Sequence, residues 1–139
     1  MTSIEKRAHE NVREDQGSSS ASEQRNQMNP AIATFNCFTL VSQIENEETW
    51  KNRDRSAITL SRSHGLQITL IAMHSGTSKP WHRVECPISI QVIEGKIEFI
   101  TDAEVVPLKK GDILILQEGI RHHMKAIEES VILLTLASI

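Results

Sequence analysis

ISIQVIEGKIEFI, residues 88–100, is the stretch that decides the fold. Ile88, Ile90 and Val92 share one parity, so in an extended chain they point to one side. After Gly95 the apolar positions Ile97 and Phe99 take the opposite parity. A slip of one residue sends every side chain to the other face of a sheet. The inward face must therefore be reset near Glu94-Gly95. A glycine-centred bulge or sharp bend does this within a strand.

Outward from this stretch, similar short runs recur. CFTLV, SAITLS and LQITLIAM come before it; AEVVPL, DILIL, HHMKAI and SVILLTL follow it. Most are rich in Ile, Val and Thr, and many alternate. Several stand roughly ten residues apart, the pattern of strands in an all-β protein. Lys109-Lys110-Gly111-Asp112 reads as a tight turn into Ile113–Leu116. That run is apolar on both faces and predicts a central, doubly buried strand; VILLTLASI at the end predicts another. Only QIENEETWKNRD reads as helix or loop. The class predicted is an all-β sandwich or barrel.

Length and composition set the bounds. The 139 residues suit one domain. With 4% aromatic residues and no Tyr, the core must be built from Ile, Leu and Val. A net charge of -3 gives no drive toward nucleic acid or an anionic membrane. No stretch approaches the roughly 20 apolar residues of a membrane helix. The opening MTSIEKRAHENVRED has no apolar core of a secretory signal, so a cytoplasmic protein with reduced Cys37 and Cys86 is expected. Residues 1–33 are rich in Glu, Arg, Gln, Asn and Ser and predict a disordered tail, with the folded domain over 34–139.

Two further stretches carry a resemblance. Gly76-Thr-Ser-Lys-Pro-Trp-His82 gives a glycine, five intervening residues and a histidine, and Gly95 closes the first motif. Gly111-Asp-Ile-Leu-Ile-Leu-Gln117-Glu-Gly119-Ile-Arg-His122 gives the glycines and histidine of a second. In these the chain, over roughly Ile68 to Leu136, resembles the cupin family. The resemblance implies a double-stranded β-helix, or jelly-roll, barrel. It also implies a metal pocket of three His and one Glu, and activities such as dioxygenase, isomerase or decarboxylase. At the matching positions this chain departs from the family. Val84 stands for the second His and Ile88 for the Glu; Gln117 and Ala126 replace the Pro and Asn of the second motif.

Of the implied ligand set only His82 and His122 can bind a metal. A mononuclear Fe, Mn, Ni or Zn site takes three or four protein ligands. Val84 and Ile88 share the parity of His82 and should face the same interior, making it apolar. Met124 shares the parity of His122 and should line it too. Trp81 should face outward, and His123 the side opposite His122. His64, His74 and His123 are expected to be surface or structural residues.

Two readings of His82 and His122 stay open. They are polar groups of the barrel mouth, bonded to each other or to water, or they are the polar contacts of a small molecule. The expected function is a cupin-domain protein that binds a small molecule through His82, His122, Val84, Ile88 and Met124. The alternative is a metal-dependent enzyme with an incomplete, His-only ligand set. No nucleic-acid or membrane partner is expected. A homodimer is expected, with Phe35 to Leu40 as the exchanged edge strand.

Overall fold

A computed structural model of the chain describes residues 30–53, 55–78 and 80–137. The tail expected over 1–33 lies almost wholly outside the described residues.

The chain begins with two helices, α1 (Cys37–Glu45) and α2 (Glu48–Asn52). Eight strands follow: β1 (Arg55–Ser63), β2 (Leu66–Met73), β3 (Ile88–Glu94), β4 (Lys96–Thr101), β5 (Val105–Lys109), β6 (Ile113–Leu116), β7 (His122–Ala126) and β8 (Ser130–Leu136). They form two antiparallel sheets. One has the order β1-β2-β8-β3-β6 and the other β5-β4-β7. The chain passes between the sheets at β3–β4, β5–β6, β6–β7 and β7–β8, the arrangement of a jelly roll.

The face reset falls where the alternation puts it. β3 turns Ile88, Ile90 and Val92 inward, and β4 turns Ile97 and Phe99 inward. The register of β3 against β8 slips between Val92 and Glu94. Gly95 then carries the chain from one sheet to the other with φ +88. A side chain there would overlap the Glu129 carbonyl and Ser130. The interior holds these residues with Val84, Leu116, Met124, Ile132 and Leu134. Each such aliphatic side chain contributes about 1.5–3 kcal/mol by leaving water.

Two local expectations are corrected. CFTLV is helix, not strand, so Phe35 to Leu40 is not an edge strand available for exchange. Asn36 caps α1, its side chain accepting the Thr39 N–H at 3.1 Å. Cys37, Leu40, Val41 and Ile44 then fall on one helical face. With Trp50 of α2 they pack on Leu70, Ala72 and Val131, the outer face of β2 and β8. β6 is also not central. It forms one edge of the five-stranded sheet, with Ile113 and Ile115 60% and 61% exposed. β8 does lie centrally, between β2 and β3.

Candidate functional site

The loop from β2 to β3 runs antiparallel beside β7. The Gly76 N–H donates to the Ala126 carbonyl, and the Ala126 N–H to the Thr77 carbonyl, at 2.8 and 2.9 Å. Ser78 pairs with Lys125, and His82 with His122. Four residues of the loop thus span three of β7, so the register slips by one between Ser78 and His82. After the slip His82 and His122 exchange backbone hydrogen bonds of 2.9 and 2.8 Å. Gly119 N–H donates to the Val84 carbonyl at 2.8 Å and fixes the next turn.

This pairing brings the two imidazoles together, with ring centroids 4.3 Å apart and planes at 64°. His122 has no exposed surface, and Phe99 stacks on it at 5.0 Å. Val84, Ile88 and Met124 are buried in the same interior cluster. The five residues singled out in the sequence therefore all turn to the core side of the barrel.

The protonation of both rings follows from their partners. His82 Nδ1 lies 3.0 Å from the Pro80 carbonyl, and His122 Nδ1 lies 2.9 Å from the Ile120 carbonyl. A carbonyl only accepts, so each Nδ1 carries the proton. In the neutral ring Nε2 then holds the lone pair. His122 Nε2 is buried without a hydrogen-bond partner among the described residues. Burial pushes the His122 pKa down, and the neighbouring His123 adds to this; the Ile120 carbonyl opposes it. His122 is therefore a neutral acceptor facing the core near pH 7.

The outer side of the same ladder carries Trp81, Arg121 and His123. Trp81 faces outward as its parity requires. The Arg121 guanidinium sits 4.3 Å from its ring centroid, and His123 packs at 4.3 Å. Arg121 also reaches Asp102 at 3.6 Å. These contacts pin the loop that holds His82.

His74 takes the structural of its two expected places. It is half-buried and stacked on Trp50 with centroids 3.6 Å apart. Its Nε2 lies 2.7 Å from the Trp50 carbonyl and its Nδ1 3.1 Å from Glu129. It ties α2 to the barrel. His64 is exposed in the β1–β2 turn. Cys37 and Cys86 are both free thiols.

The donor set does not fit the family's metal. Among the described residues no group of three or more His, Cys, Asp or Glu is placed to hold an ion. The two remaining ligand positions are filled by buried Val84 and Ile88.

The Cupin domain family model matches residues 69–137. This chain belongs to the cupin superfamily. A cupin superfamily protein from Desulfitobacterium hafniense superposes with a TM-score of 0.64 at 19% identity, over 79% of this chain and 94% of that one. A cupin-2 domain protein from Shewanella frigidimarina gives 0.62 at 18%, over 76% and 95%. An RmlC-like cupin from Desulfovibrio desulfuricans gives 0.55 at 26%, over 60% and 81%. No curated protein matches the sequence. The likeness to these structures speaks to the fold of this cupin and leaves its ligand to its own residues. No helix among the described residues is long and apolar enough to cross a membrane.

Proposed function

We propose that this cupin is a small-molecule-binding protein whose barrel holds its ligand against His82 and His122. The observation that carries this is the buried His122 Nε2, a lone pair facing the core with no donor among the described residues. An unmet buried acceptor costs about 1–3 kcal/mol, and a ligand donor removes that cost. Val84, Ile88 and Met124 supply the apolar wall. The ligand class that fits is a small, largely apolar molecule with a hydroxyl or N–H group. A carboxylate or phosphate offers only a further acceptor to the His122 lone pair and fits poorly.

The test is a thermal-shift panel of uncharged alcohols, phenols and amides. Compounds that stabilise the wild type and fail to stabilise a His82→Ala/His122→Ala variant support the proposal. A panel with no hit, or hits retained in the variant, sinks it.

A metal-dependent enzyme is the second reading. Its support is the shared tautomer: metal-bound imidazoles commonly donate their other N–H to a backbone carbonyl. It requires a third ligand from outside the described residues or from the substrate. One equivalent of Fe, Mn, Ni or Zn in protein purified without a histidine tag, lost in His82→Ala, would put this reading first.

A further inference from the structure

The geometry points to a second ligand site, at the end of the barrel away from the histidines, that takes an amphipathic carboxylate such as a medium-chain fatty acid. It lies apart from the proposed barrel site and does not rest on it. A groove of about 410 Å³ opens there between the start of β4 and the end of β5. Ile97, Pro107, Leu108 and Ile127 give it an apolar lining, and Lys96, Glu98, Lys109 and Asp112 complete it. Its volume is within the range of small-molecule sites. Ile127 is 45% exposed, so a large aliphatic side chain stands open to solvent beside the lysines.

The charges identify the occupant. Lys96 and Lys109 are direct cross-strand partners. Like charges placed directly opposite destabilise a sheet. Asp112 neutralises only Lys109, taking its backbone N–H at 2.9 Å and approaching its Nζ at 3.5 Å. That contact with the Lys109 N–H holds the Asp112 carboxyl below its ordinary range, so it stays charged and committed. Glu98 is cross-strand partner to Lys125 and makes no ion pair among the described residues. Lys96 makes no ion pair among the described residues. An anionic head between Lys96 and Lys109 resolves the opposition, and its apolar body lies on Pro107 and Ile127, above the buried Ile97 and Leu108. A cationic or uncharged amphiphile leaves the lysines opposed.

The experiment is a titration of the full chain with octanoate, followed by methyl NMR and by thermal shift, with 1-octanol as the uncharged control. Saturable shifts at Ile97, Leu108 and Ile127 are expected. Lys96→Gln should weaken octanoate about three- to fivefold, the scale of an exposed ion pair. Lys96→Glu should abolish binding and yet raise the melting temperature of the free protein by about 1–4 °C, because it turns a like-charge pair into an opposite one. His82→Ala/His122→Ala should bind octanoate as the wild type does. Octanoate that causes no saturable shift overturns the site. So does octanol shifting the same methyls as tightly in the His82→Ala/His122→Ala variant, or octanoate binding that survives Lys96→Glu and disappears in the histidine variant.

Discussion

His82 and His122 are held ring to ring by their own backbones, which exchange two hydrogen bonds across the loop and β7. Each ring also returns its Nδ1–H to a carbonyl two residues earlier. Main-chain geometry thus fixes both the position and the tautomer of the pair, with no carboxylate needed to orient either ring.

The pKa of His122 sets a pH dependence. Its folded-state value lies below the ordinary 6.5, so the unfolded chain takes up a proton before the folded one does. The stability it contributes is complete above 6.5 and is lost as pH falls through the lowered folded-state value. Urea midpoints should decline over that acidic window, and His122→Leu should flatten the decline. An unchanged acid limb in the variant would assign the loss to other groups.

Gly95 should not tolerate a side chain. Gly95→Ala adds a strained positive φ and an overlap with Glu129 and Ser130. A loss of at least about 2 kcal/mol is expected by denaturation. A neutral Gly95→Ala would mean that the crossover between sheets can relax.

Met124→Ala should cost about 2–5 kcal/mol, because the side chain is fully buried beside His122. A loss under about 1 kcal/mol would indicate space around His122 that collapses freely.

His74→Ala should loosen α1 and α2 while sparing the barrel. It removes the stack on Trp50 and two hydrogen bonds, for a loss of roughly 1–2 kcal/mol. Hydrogen exchange should speed up over 37–52 and stay unchanged in β8. Equal acceleration in both would contradict a local role.

Self-association is expected through a sheet edge. β6 presents Ile113 and Ile115 on an edge strand with no Pro or charge to block pairing. Light scattering should show a dimer, and Ile115→Lys should shift it toward monomer. A monomer mass at high micromolar concentration would contradict this.

The legible part of the molecule was the part encoded by period two. Alternation placed β3 and β4, a run apolar on both faces placed β8, and parity put His82, Val84, Ile88, His122 and Met124 inside. α1 was misread because CFTLV is rich in strand formers. Its helical signal lay in Asn36 as a cap and in the spacing of Cys37, Leu40, Val41 and Ile44. β6 was misread because an apolar run looks the same at an edge as at a centre; only its neighbours distinguish them. His74 gave no local signal, since its partners Trp50 and Glu129 lie 24 and 55 residues away. The Lys96–Lys109 opposition likewise exists only once β4 and β5 are in register.

The most direct measurement is the long-range ¹⁵N–¹H spectrum of the histidine rings in the purified protein, taken from neutral into acidic pH. The account predicts that His122 carries its proton on Nδ1 and keeps Nε2 as a bare acceptor well below the pH at which exposed imidazoles charge. A His122 ring protonated on Nε2, or one that charges with the exposed His64, would remove the acceptor on which the proposed ligand site depends.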